Sequence, residues 1–215
     1  MELHQTEEEQ VQALKGWFKK NGGALIFGLA IGLASIGGYR FWADYQNSQS
    51  QGASLAYSNL QNYLLAGDSA RVFEAGDKLV KQFSGTPYAA LAALGMARMS
   101  VENGSLDAAE VHLQWVIDNA SQDGLKHMAR LRLARVLMAE NKYDQALALV
   151  NSNTEASYTS LYSELRGDIL LAQKQVEQAR SAYQQALDTA AAEDRRRQLI
   201  EMKLNDLPAA GSAQG

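Results

Sequence analysis

Few residues in this sequence have the type and spacing that covalent chemistry needs. Histidine occurs at His4, His112 and His127, and none is placed to chelate a metal with another histidine or a carboxylate on a shared helical face. There is no G-x-S-x-G nucleophile turn, no Gly-rich phosphate loop and no H-E-x-x-H pair. Cysteine is absent, which removes thiol redox chemistry, disulfides and cysteine-ligated metal, and fits an exported domain. The expectation is a protein without catalytic, cofactor-binding or metal-binding residues. A formal net charge of −4 lacks the basic footprint that phosphate backbones require, so nucleic acid is not an expected partner. The one basic cluster, Arg195-Arg196-Arg197, follows Glu193-Asp194 and reads as a solvated helix face. Met96, Met99, Met128 and Met138 sit at helical spacing in apolar surroundings and read as core filling.

The element that positions everything else is an uncharged run, Asn21 to Tyr39 (NGGALIFGLAIGLASIGGY), bounded by Lys19-Lys20 and Arg40. As a helix it reaches roughly 28 Å, close to the roughly 30 Å of hydrocarbon that a span must cross. Trp17 and Phe18 before it, and Tyr39, Phe41 and Trp42 after it, are the rings expected at headgroup level. Lys15, Lys19 and Lys20 precede the run while Arg40 alone closely follows, which predicts a cytoplasmic N-terminus with the remaining chain outside. A cleaved signal peptide is the rival reading. Against it stand the leader with Glu2, Glu7, Glu8 and Glu9, the length of the run, and the bulky aromatics beyond its small residues. Thr6 and Glu9 have capping-box spacing, and Val11, Leu14 and Phe18 share a face, so the leader (1–20) reads as a short amphipathic helix on the inner surface. Within the span (21–39), Ala24, Gly28 and Gly32 recur every four residues and offer a face on which another membrane helix could pack closely.

Of the 215 residues, roughly 165 lie beyond the span, enough for one soluble domain with a sizeable core. Only two prolines occur, Pro87 and Pro208, and Ala, Leu and Gln abound, which predicts an all-α fold. Residues 40–53 form the connection from membrane to domain. Their polar stretch Asn47 to Gly52 is a candidate for a loosened junction, yet no proline interrupts it and a continuous helix stays open. The domain is expected over 54–207 and a disordered tail over 208–215.

Three stretches of the domain align: Leu106 to Leu113 (LDAAEVHL), Tyr143 to Val150 (YDQALALV) and Val176 to Tyr183 (VEQARSAY). Their alanines, Ala109, Ala146 and Ala179, recur after 37 and then 33 residues, and twelve residues before each lies another small residue, Ala97, Ala134 or Gly167. The pattern describes pairs of antiparallel helices whose small residues meet, joined by turns at Asn103-Gly104-Ser105, Glu140-Asn141-Lys142 and Lys174-Gln175. Leu113, Val150 and Tyr183 should fill the space between units. Ser54 to Phe83 carries another helical pair meeting at Gly67-Asp68, without the small-residue register. Leu199, Met202, Lys203 and Leu207 suggest a helix closing the far end.

From about Tyr88 to Ala190 this resembles the tetratricopeptide repeat family, although the early large aromatic and the terminal prolines of its signature are missing. The resemblance implies a helical-hairpin solenoid whose first helices line a concave surface. It places Arg98, Arg135 and Asp168 at one equivalent inward position, with Leu94, Leu131 and Glu164 near them. Two arginines repeated in one place could hold carboxylates or carbonyls of an extended peptide. The plainer alternative is that they are solvated or paired with neighbouring acids.

The order of parts is more specific still: an acidic leader, one span ending in YRFWADY, then SLAYSNLQNYL, LRLARVLMAENKYDQAL, LYSELRGDILLAQKQVEQARSAY and a terminal EMKLNDL. The chain resembles the YfgM family of Gram-negative bacteria, the ancillary subunit of the SecYEG translocon, over nearly its whole length. That resemblance implies an inner-membrane protein with a periplasmic tetratricopeptide-like domain. It also implies association with the translocon and the membrane-anchored chaperone PpiD, and a role in handing over exported polypeptides. It carries no catalytic motif and no cofactor. The expected function is therefore a non-enzymatic adaptor held in membrane lipid; a scaffold for another envelope assembly or division complex is the alternative.

Overall fold

A computed structural model describes residues 7–153 and 155–208. His4, Glu2, the Thr6 end of the capping box and the tail beyond Pro208 lie outside the described residues. Among the described residues every regular element is helical, as the composition requires: α1 (Glu7–Ala66), α2 (Ser69–Gln82), α3 (Pro87–Glu102), α4 (Leu106–Asn119), α5 (Asp123–Ala139), α6 (Tyr143–Asn151), α7 (Thr159–Ala172), α8 (Val176–Thr189) and α9 (Arg196–Asn205). A single 3-10 turn, Ala156–Tyr158, precedes α7. The chain divides into two units, Met1–Gln49 and Ser50–Gly215.

The first unit is carried by α1, and the polar stretch Asn47 to Gly52 is helical. With no proline to remove an amide, Ser48 bonds back to the Tyr45 carbonyl at 2.9 Å without breaking the helix. Among the described residues this is the one helix long and apolar enough to cross a membrane, and none of its apolar window is buried by protein. Ile26, Phe27, Leu29, Leu33 and Ile36 are all exposed. Water would penalise that arrangement, and hydrocarbon would not. Gly28 and Gly32 have open space where a Cβ would stand.

In the second unit, from α2 onward, each helix packs on the next, and α3 also meets α5 as α5 meets α7. Contacts confined to neighbours in the chain are the mark of a stacked solenoid. The small residues stand where close helix approach needs them: Ala97, Ala109, Ala134, Ala146 and Ala179 are all at most 2% exposed. At Gly167 a Cβ would lie 2.5 Å from the Tyr183 ring, so the aromatic of α8 lies directly on the bare backbone of α7. Leu113, Val150 and Tyr183 are buried between units. Burying a side chain such as Leu113 contributes about 1.5–3 kcal/mol.

The turns reveal a repeat that composition hides. Gly67, Gly104, Asn141 and Lys174 all have positive φ, between 61° and 75°. In each, the following amide reaches back to close the helix: Asp68 N to Tyr63 O, Ser105 N to Ser100 O, Lys142 N to Leu137 O and Gln175 N to Leu170 O, at 2.8–3.0 Å. The four turn positions are spaced 37, 37 and 33 residues apart. The Ser54 to Phe83 pair is thus in register with the rest. Its counterparts of Ala97 and Ala109 are Leu60 and Val72, both fully buried. Among the described residues the stack therefore consists of four hairpins closed by α9. α9 closes the stack with buried Ile200 and partly buried Leu204, and Leu207, two residues past its end, is buried with them, whereas Leu199 and Met202 of the expected apolar set are exposed.

Candidate functional site

The inward positions fall on α3, α5 and α7, the first helices of successive hairpins. Leu94 and Leu131 are 4% and 7% exposed and belong to the core beneath that surface. One turn further along each helix stand Arg98 and Arg135. Arg98 pairs with Glu102 on its own helix, Nε to Oε1 at 2.7 Å, with both side chains largely in solvent. Such a pair contributes little. Among the described residues Arg135 reaches only the Leu131 carbonyl, at 3.5 Å.

The third repeat differs. Glu164 and Asp168 are held by the closing helix: Lys203 Nζ lies 2.8 Å from Glu164 Oε1 and from both Asp168 carboxylate oxygens. Arg196 adds a contact to Glu164 at 3.6 Å, and the Tyr183 hydroxyl donates to Asp168 at 2.8 Å. Burial opposes the Lys203 charge, but the hydrogen bonds with Asp168 and Glu164 outweigh it and hold the ammonium above its ordinary range. Burial first, and the bond to Asp168 second, push the Tyr183 phenol up as well. The two acids of α7 are thus joined to α9, while the two arginines lie on the open part of the surface.

Between α3, α4 and α5 lies a cavity of about 400 Å³. Its floor is apolar, formed by Val101, Leu106, Leu113 and Val136. Arg98 and Arg135 stand at its rim together with Arg132, which lies outside the repeated inward position. Arg132 precedes Arg135 by three residues, the helical spacing that puts both on one edge, and that spacing is the signal by which it could have been found. Partial withdrawal from solvent, followed by the charges of Arg135 and Arg98, pushes the Arg132 guanidinium below its ordinary range. Among the described residues neither Arg132 nor Arg135 has a carboxylate within 4.0 Å.

Two further titratable clusters join neighbouring elements of the stack. His127 is buried against Tyr162, Nδ1 to the hydroxyl at 2.9 Å, stacks on Tyr158 with centroids 3.8 Å apart, and meets Glu155 at 2.9 Å. It ties the 3-10 turn to α5 and α7. Asp107, Glu110 and Glu140 approach one another, but Lys142 lies between two of them, 2.6 Å from Glu110 and 3.1 Å from Glu140.

Comparison with known proteins agrees with this architecture. A tetratricopeptide repeat-like domain family matches residues 15–209. A relative from Escherichia coli (strain K12), described as an ancillary SecYEG translocon subunit, is 32% identical over 96% of this chain and 99% of its own length. Relatives with the same description are 33% identical in Aggregatibacter actinomycetemcomitans, over 94% of this chain and 97% of theirs, and 32% identical in Neisseria gonorrhoeae, over 96% and 100%. The apolar helix, the hairpin stack and the near-complete overlap lead to one assignment: this chain belongs to the tetratricopeptide repeat-like family of ancillary SecYEG translocon subunits.

Proposed function

We propose that this protein is a non-enzymatic adaptor of the inner membrane, associated with the SecYEG translocon, that uses its helical-repeat domain to bind a chaperone such as PpiD or emerging exported polypeptides. The observation that carries the reading is the likeness to ancillary translocon subunits over both the apolar helix and the hairpin stack. Residues 1–20 remain in the cytoplasm, 21–39 cross the bilayer, 40–53 connect, 54–207 stand in the periplasm and 208–215 form a tail. Ala24, Gly28 and Gly32 offer their open face to a membrane helix of the translocon. The partner-binding surface is the inward side of α3 and α5, where Arg98 and Arg135 stand over Leu94 and Leu131. Glu164 and Asp168 continue that inward side on α7, where Lys203 of α9 holds them.

Photocrosslinking residues introduced at Gly32, Arg98 and Arg135 in native membranes test this. Position 32 should crosslink to translocon helices, and the two arginine positions to a chaperone or a nascent exported chain. Copurification with a different envelope complex, and no translocon product from any position, would replace this reading with the scaffold.

A further inference from the structure

We propose that the cavity between α3, α4 and α5 docks an extended polypeptide segment that inserts one bulky apolar side chain and presents an adjacent carboxylate to Arg132 and Arg135. This rests on the reading that the domain binds polypeptides, and it specifies which segments it takes.

Three features carry it. The floor built by Val101, Leu106, Leu113 and Val136 is apolar and open, with Val101 44% exposed. At about 400 Å³ the space lies low in the range of roughly 300–1,000 Å³ occupied by specific small ligands. It suits one or two side chains, whereas a helix about 10–12 Å across exceeds it. The rim is cationic on a chain whose net charge is −4. Of its four charged groups, Arg98 and Glu102 satisfy each other, which leaves Arg132 and Arg135 to face a ligand. Like charges three residues apart on a helix repel weakly, and a carboxylate bound between them would relieve that repulsion. A guanidinium pair is matched by a carboxylate through charge-assisted, bidentate bonds, and a neighbouring apolar side chain is matched by the floor. The inward acids of the next repeat are already engaged by Lys203, so they do not repel an acidic segment as free carboxylates would.

The test uses the full chain in detergent and a fluorescein-labelled peptide with Asp-Leu-Asp at its centre in a Gly/Ser context, followed by anisotropy. Lys-Leu-Lys and Asp-Ser-Asp peptides serve as controls. Two variants probe the site, Arg132→Glu with Arg135→Glu at the rim and Val101→Trp to fill the floor. All three positions are exposed, and circular dichroism checks that both variants fold. The Asp-Leu-Asp peptide should bind about tenfold or more tightly than either control, and each variant should lose about tenfold of that affinity. Equal affinity for the three peptides, unchanged binding in both folded variants, or no binding at all would overturn the proposal. Self-association that both variants abolish would assign the cavity to a second copy of the chain and overturn it too. Photocrosslinking of an exported polypeptide from Arg98 separates the two levels. If it persists while peptide discrimination is lacking, only the cavity assignment fails; if both are lacking, the polypeptide-binding reading fails with it.

Discussion

Replacing Lys203 by Met should release the closing helix. Lys203 Nζ stands 2.8 Å from three carboxylate oxygens of Glu164 and Asp168, with side-chain exposures of 27%, 11% and 26%. That places the cluster between exposed pairs, whose loss costs about 0–1 kcal/mol, and fully buried ones, whose loss costs about 3–5 kcal/mol. Removing the ammonium leaves two largely buried carboxylates facing each other, so a loss of about 2–3 kcal/mol is expected. For a domain of this size each kcal/mol shifts the Tm by roughly 2–4 °C, which gives a fall of about 5–10 °C. Solenoids lose cooperativity from their ends, so hydrogen exchange should quicken first in α9 and the facing side of α7. The further changes Glu164→Gln and Asp168→Asn should recover part of the loss, because neutral amides leave no like charges unpaired. Lys203 titrates above its ordinary value of 10.5 when folded, so its contribution is full below that value and disappears only as pH rises through the raised one. The Lys203→Met deficit should accordingly be constant across neutral pH and vanish in strong alkali. A Tm within about 1 °C of the parent, or a deficit that changes between pH 6 and 8, would refute the reasoning.

Three further substitutions test the stacking itself by thermal denaturation. Gly167→Ala should cost about 1–3 kcal/mol, because the new methyl meets the Tyr183 ring at 2.5 Å, and Tyr183→Leu in the same chain should relieve the clash. Lys174→Gly should instead raise stability by up to about 1 kcal/mol, since Lys174 sits at φ 62° where glycine carries no Cβ penalty. His127→Leu should cost about 1–3 kcal/mol by leaving the buried Tyr162 hydroxyl without its 2.9 Å partner, with the fastest new hydrogen exchange at Ala156–Tyr158.

Much of this fold is legible in the chain, and the exceptions have physical causes. The uncharged run and the small residues from Ala97 to Ala179 announce themselves because bilayer crossing and close helix approach each tolerate few residue types. The first hairpin does not, because Leu60 and Val72 fill positions that are small elsewhere and only its turn keeps the register. Asn141 and Lys174 are weak turn signals in sequence, yet the backbone takes the same left-handed step there as at Gly67 and Gly104. The Arg98 and Glu102 pair follows directly from four-residue spacing. Lys203, by contrast, meets Glu164 and Asp168 across 39 and 35 residues, a contact that no local pattern encodes. Arg132 has no counterpart in the neighbouring repeats, where Gly95 and Leu165 stand, and its proximity to the apolar floor depends on how α3, α4 and α5 pack.

The absence of native cysteine permits the most direct test of the central claim, that one uncleaved span holds a hairpin stack on the far side of the inner membrane. Single cysteines at the exposed positions Gln12 and Ser181 would be challenged with a membrane-impermeant maleimide in spheroplasts and after lysis. The account predicts that Ser181→Cys is labelled in intact spheroplasts, that Gln12→Cys is labelled only after lysis, and that both remain in the membrane fraction at full length. Labelling in the reverse order, or a shortened chain released to the soluble fraction, would contradict it.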